Sequence, residues 1–191
     1  MKAVRVNEYG GPEALSYEEV KKPAPGSNEV LVKIAAAGVN YIDTYQRSGL
    51  YQVPLPLTLG LEAAGVVEEL GDGVTKYNKG DRVAYTSVPG AYAEYASVPE
   101  EKLVSLSGDV SFNEGAAAML QGCTAHYLCK STYQVKQGDS CLIHAAAGGV
   151  GLLLIQMVKN AGGFVIGTVS TDDKANLAKE AGADEVILYS E

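Results

Sequence analysis

The sequence predicts an α/β chain in two parts: a β-rich N-terminal part, then the opening half of a doubly wound parallel sheet. Three observations carry that prediction. The run from Gly138 to Gly151 reads as a buried strand, a glycine-bearing turn and a helix start in immediate succession. Behind it, Phe164 to Val169 and Glu185 to Tyr189 are further apolar, β-branched runs, separated by a helical stretch from Asp173 to Ala181 that Gly182 closes, which makes βαβαβ. Ahead of it, up to about residue 110, short strands recur between turn signals, the pattern of a compact all-β domain.

In order along the chain, Met1 to Val6 alternates like a strand. Val30 to Ile34, Gly65 to Glu69, Arg82 to Tyr85 and Ala91 to Ala96 follow. Gly10-Gly11-Pro12, Pro25-Gly26-Ser27, Gly71-Asp72-Gly73 and Lys79-Gly80-Asp81 supply turns between them. Ser111 and Glu114 form a capping-box pattern, so a helix is expected from there to about Leu120, with a second helical stretch from Cys123 to about Tyr133. The join between domains falls in 111 to 135, and the division expected is 1–122 and 123–191. The chain ends at Glu191, just after the third strand of a fold whose full form carries two such halves. The expectation is therefore a piece of a longer polypeptide.

The glycine turn is where a pyrophosphate would sit. Its spacing is that of G-x-G-x-x-G with Ala146 at the first position, Gly148 at the second and Gly151 at the third. Gly148 lets backbone approach phosphates, Gly151 lets helix pack close to strand, and the free N–H groups at the helix start favour an anion. Ala147, Gly148, Gly149, Val150 and Gly151 are the candidate phosphate contacts. About twenty residues on, an acidic side chain would grip a ribose 2'-hydroxyl, whereas basic and hydroxyl groups suit a 2'-phosphate. That window holds Thr168, Ser170, Thr171 and Lys174, which reads as NADPH over NADH, against the weight of Asp172 and Asp173.

The 191 residues are 47% hydrophobic and 20% charged, enough for one large or two modest cores. The net charge of -8 argues against a general nucleic-acid or acidic-membrane binder. No apolar run approaches membrane-spanning length and the start does not read as a signal sequence, so a cytoplasmic protein is expected. Three cysteines without C-x-x-C spacing and two histidines point to neither a disulfide framework nor a metal site. His144, beside the turn, reads as a structural histidine.

Several motifs in order resemble one family. Gly10-Gly11-Pro12-Glu13, the stretch from Gly38 to Tyr45 with Arg47 to Tyr51, Gly60 to Gly65, Lys79 to Val83 and the glycine turn are together similar to the zinc-free quinone oxidoreductase (ζ-crystallin-like) branch of the medium-chain dehydrogenase/reductase superfamily. The resemblance covers the whole chain. It implies a GroES-like catalytic domain before a Rossmann domain that is truncated here, NADPH as cofactor, reduction of a quinone or enone, and a homodimeric parent. Zinc-dependent relatives place a cysteine ligand where this chain has Asn40 and a histidine where it has Leu61. By resemblance, Asn40, Tyr45, Thr124 and Tyr127 lie near the nicotinamide, Tyr45, Tyr51 and Arg47 serve the substrate, and Tyr189 meets the adenosine side. A dinucleotide-binding protein without turnover, and a truncated form acting by association, are the alternatives.

Overall fold

The computed structural model describes residues 1–189 and divides into two compact units, Met1–Leu120 and the remainder from Gln121. The first unit is β-rich, as expected. Its strands are β1 (Lys2–Val6), β2 (Leu15–Glu19), β3 (Glu29–Ala37), β4 (Leu57–Thr58), β5 (Glu62–Leu70), β6 (Arg82–Thr86), β7 (Tyr95–Pro99) and β8 (Leu103–Ser105). One sheet has the order β2-β1-β4 and the other β7-β3-β5-β6-β8, both antiparallel. The long pair β3 and β5 forms the middle of the larger sheet, and two register shifts along it curl the sheet. Val30, Val32, Val67, Val83, Tyr85 and Val98 fill the core beneath.

Three features differ from the sequence expectations. A helix, α1 (Tyr41–Ser48), follows β3 directly. The strand expected at Ala91 to Ala96 begins at Tyr95, because the segment before it runs beside β1 through an isolated bridge from Ala93 to Ala3. The two helical stretches expected on either side of residue 122 are one helix, α2 (Phe112–His126), continued by a widened turn over Tyr127–Thr132. Gly122 therefore sits inside a helix that tertiary packing sustains against its poor propensity.

The second unit is βαβαβ: β9 (Ser140–Ile143), α3 (Gly149–Asn160), β10 (Phe164–Val169), α4 (Asp172–Glu180) and β11 (Glu185–Leu188). The sheet is parallel in the order β11-β10-β9. Ile155, Val158, Val165 and Ala178 are buried where the two helices meet it. Among the described residues, β9 and β11 each have one unpaired edge. Also among them, no helix is long and apolar enough to cross a membrane.

One acidic side chain ties this unit together. Asp184, just before β11, accepts from the Val165 N–H at 2.7 Å and from Lys159 Nζ at 2.7 and 2.8 Å, linking α3, β10 and the approach to β11. The lysine ammonium and the peptide N–H both hold its carboxyl below the ordinary aspartate value of 3.8. A depressed carboxyl contributes stability that is present above the unfolded value and lost as pH falls through the folded one. Asp184→Asn keeps one acceptor and loses the ion pair, so it is expected to lower the melting temperature at neutral pH. The gap to wild type should close in acid below 3.8, and calorimetry across that range measures it.

Candidate functional site

Each unit carries its own set of candidate residues. In the first, the chain leaves β3, turns at Gly38 and enters α1 at Asn40, and three polar side chains are buried at that corner: Asn40, Asp43 and Glu62. Asp43 and Asn40 form a capping box, in which the Asp43 carboxylate accepts from the Asn40 peptide N–H at 2.8 Å. The same carboxylate oxygen accepts from the Tyr92 hydroxyl at 2.5 Å. Glu62, fully buried at the start of β5, accepts from Asn40 Nδ2 at 2.7 Å on one oxygen and from the Leu120 N–H of α2 at 2.6 Å on the other. Any side chain at Gly38 would run into that carboxylate, so glycine is required there by close approach.

Two acceptor oxygens meeting two N–H donors is the arrangement of an ionised carboxylate. Burial acts against the charge: it pushes the Glu62 carboxyl above its ordinary value, the two hydrogen bonds pull it back in part, and the Asp43 charge adds to the rise. Burial also pushes the Tyr92 hydroxyl up, assisted by its bond to Asp43. Asp43, Glu62 and Tyr92 were not among the residues expected from sequence. Asn-x-x-Asp at 40 to 43 is a capping-box signal that would have found both α1 and Asp43, and Glu62 is a lone carboxylate in the small apolar run from Gly60 to Gly65.

The outer side of α1 is aromatic. Tyr41 and Tyr45 meet edge to face with centroids 5.3 Å apart, and Tyr45 and Tyr51 lie 5.2 Å apart, tilted by 53°. The Tyr51 N–H donates to the Tyr45 carbonyl at 3.1 Å, so these two expected residues are brought together by backbone as well as by rings. Tyr41 and Tyr51 are exposed. Arg47 has a structural partner: its Nε donates to the Gly10 carbonyl at 3.3 Å, while Gly10 N–H donates to the Arg47 carbonyl at 3.1 Å.

In the second unit, the turn after β9 is built as its spacing requires. A Cβ on Gly151 would lie 2.6 Å from the carbonyl oxygens of both Ala145 and Ala146, so only glycine lets α3 start this close to the strand. The left-handed residue of the turn is Ala145, at φ 50°, and Ala146 is buried. Helix starts elsewhere close on themselves: the Asn40–Asp43 box at α1, the reciprocal Ser111–Glu114 bonds at α2, and Thr171 Oγ1 accepting from the Lys174 N–H at α4. At α3 the capping position is Gly148, which has no side chain to offer. The positive pole of the helix dipole lies at Gly149 and Val150, where the Gln121 side chain comes so close that a Cβ on Gly149 would lie 1.9 Å from its Oε1.

Past β10, Lys174 Nζ donates to Ser170 Oγ at 3.1 Å, so the two residues expected to form a phosphate pocket are neighbours. Thr168 is buried, and its hydroxyl lies 3.1 Å from His144 Nδ1, which gives that histidine its partner. Thr124 is half-buried on α2, Tyr127 is exposed just beyond it, and Tyr189 is exposed with its N–H on the Val169 carbonyl at 3.1 Å. Ala147 sits in the turn itself, half-buried.

Known proteins place this architecture. The alcohol dehydrogenase GroES-like domain matches residues 26–108, and the zinc-binding dehydrogenase family matches residues 149–191. The chain is 50% identical over 191 residues to a quinone oxidoreductase of Pseudomonas aeruginosa, covering 99% of this chain and 59% of that protein. The chain belongs to the quinone oxidoreductase branch of the medium-chain dehydrogenase/reductase superfamily. An Escherichia coli quinone oxidoreductase solved as a complex with NADPH superimposes with a TM-score of 0.98 at 44% identity, over 100% of this chain and 59% of that one. A 2-haloacrylate reductase of Burkholderia is 43% identical over 196 residues, covering 98% of this chain and 59% of its own length. The chain thus spans about three fifths of the relatives that it matches. Within the branch's zinc-binding family name, this chain has Asn40 and Leu61 at the two positions noted above, and among its described residues no three His, Cys, Asp or Glu side chains cluster to hold a metal.

Glu62→Gln is expected to destabilise the first unit by about 1 to 3 kcal/mol, because an amide oxygen can satisfy one of the two converging donors and its NH2 is set against the other. The penalty also depends on pH. A carboxyl raised in the folded state contributes stability that is fully present below the unfolded value and lost as pH rises through the folded one. The wild-type advantage over Glu62→Gln should therefore shrink from the ordinary glutamate value of 4.5 towards neutrality. Urea unfolding of both proteins across that window measures it, and a constant gap would refute the raised carboxyl.

Proposed function

We propose that a full-length protein carrying this chain is an NADPH-dependent reductase of quinones and similar conjugated carbonyls. The observation that carries the reading is the glycine turn that starts α3 without a side-chain cap at Gly148, followed one strand later by the Ser170–Lys174 pair. The glycine turn fits a pyrophosphate by close approach and by the positive end of the helix dipole, and an ammonium beside a hydroxyl fits a 2'-phosphate. The NADPH complex of the Escherichia coli relative supports the same cofactor. Relatives named for quinones and for a 2-haloacrylate share a conjugated acceptor, which supports that substrate chemistry.

NADPH, when bound, supplies the hydride. The chain's own residues bind, orient and donate. Gly148, Gly149, Val150 and Gly151 hold the pyrophosphate by backbone N–H groups, with Ala147 beside them, and Thr168, Ser170, Lys174 and Tyr189 serve the adenosine end. Asn40, Tyr45, Thr124 and Tyr127 border the nicotinamide. Tyr51 and Tyr45 offer a ring face to a planar acceptor and hydroxyl donors to the carbonyl oxygen as it gains charge. Arg47, in the last turn of α1, faces the acceptor with Tyr51 and also keeps that end of the helix against the Gly10 turn. Asn40 and Leu61, standing where zinc-dependent relatives carry ligands, support hydride transfer without a metal.

Two measurements test this. Lys174→Ala should narrow the preference for NADPH over NADH by roughly tenfold, the size of one charge-assisted phosphate contact, in titrations of both cofactors. Equal affinities in the wild type would defeat the 2'-phosphate assignment. Tyr51→Phe and Tyr45→Phe should lower quinone turnover more than they weaken NADPH binding, since a donor that acts on the developing oxyanion appears in the rate. Wild-type rates in both would make these tyrosines packing residues.

A further inference from the structure

The segment after α1 has little backbone with which to hold itself. Leu50 to Pro56 forms no strand, and Pro54 and Pro56 have no N–H to donate. It nevertheless carries Tyr51. At its start the Tyr51 N–H is bound to the Tyr45 carbonyl, and at its end the Pro56 carbonyl accepts from Arg5 Nη2 at 3.3 Å. Between these, a single side chain from far away in sequence takes both polar groups of one residue. The Tyr9 hydroxyl donates to the Val53 carbonyl at 2.7 Å and accepts from the Val53 N–H at 3.0 Å.

Tyr9 is itself fixed. Its ring lies against Gly49, the left-handed residue that ends α1, where a Cβ would come within 2.8 Å of the ring. Its neighbour Gly10 exchanges hydrogen bonds with Arg47, through the peptide N–H in one direction and Nε in the other. The last turn of α1, the Gly10 turn and the Tyr51 segment thus close into one ring of contacts, with the Tyr9 hydroxyl as the link to Val53.

We propose that Tyr9 is a positioning residue, whose hydroxyl clasps Val53 and so fixes the segment that presents Tyr51 to the acceptor substrate. The proposal rests on the reading of Tyr51 as a substrate-facing residue. Tyr9 itself need touch neither cofactor nor substrate. Its ring supplies packing on Gly49, its hydroxyl supplies the clasp, and Tyr9→Phe separates the two.

The test uses the full-length protein with NADPH and a small 1,4-benzoquinone, in four forms: wild type, Tyr9→Phe, Tyr51→Ala and the double variant. Tyr9→Phe is expected to raise the KM for the quinone about threefold to tenfold, in line with loss of one or two neutral hydrogen bonds, and to leave the KM for NADPH unchanged. Amide hydrogen exchange at Val53 should quicken while α1 stays protected. In the Tyr51→Ala background, Tyr9→Phe should add nothing to the quinone KM, because the residue through which it acts is gone. The proposal is overturned by an unchanged quinone KM in Tyr9→Phe while Tyr51→Ala is impaired. It is also overturned by an equal rise for NADPH and quinone, or by additive losses in the double variant. If Tyr51→Ala alone reduces the quinone as wild type does, the substrate role of Tyr51 falls, and the clasp's function falls with it.

Discussion

A buried carboxylate with two fixed donors ties three elements of the first unit together. Glu62 comes from the start of β5, Asn40 from the start of α1 and Leu120 from α2, so three elements distant in sequence converge on one side chain. Removing water from a charge is costly, and the structure offsets that cost only if both donors stay where they are. The start of α1 is therefore not free to shift. Asp43 repeats the constraint from the other side of Asn40, with the Tyr92 hydroxyl on the same oxygen. Asn40 is held at its peptide N–H by Asp43 and at its side-chain Nδ2 by Glu62, so its orientation is defined.

The second unit solves the opposite problem. There the helix start that matters is left without a side-chain cap, and precision comes from steric closeness: Gly151 fits under two carbonyl oxygens that would collide with any larger residue. Hydrogen bonds to Asn40 and Leu120 fix the first site, although one Asp43 oxygen stays buried without a partner among the described residues, whereas close approach of backbone shapes the second.

Much of this was legible in the residues. The βαβαβ alternation, the glycine spacing and the Ser170–Lys174 pair depend on local pattern, and local pattern survives folding. The structure placed α3 and α4 within a residue or so of expectation, with Gly148 and Thr171 as their caps. What pattern missed was set by contacts between distant segments. Helix α1 is short and carries tyrosines where apolar periodicity would be sought, so only its Asn40–Asp43 box betrays it. The helix expected to end at about Leu120 runs on through Gly122, at a propensity cost of about 1 kcal/mol. The partners of Glu62 lie 22 and 58 residues away, beyond the reach of any spacing rule. The bond of Arg47 to a turn 37 residues earlier was likewise out of reach of local pattern.

The uncapped start of α3 has a kinetic consequence. This chain carries a net charge of -8, so an anion approaching from solution first meets a repulsive mean field and feels the helix dipole and Lys174 only at close range. Salt screens distant repulsion more completely than it screens a contact at the helix end. For the dinucleotide site proposed above, rising ionic strength would ease approach even as it weakened the final grip, so capture and retention would respond to salt in opposite directions. A basic nucleotide-binding surface would lose both together.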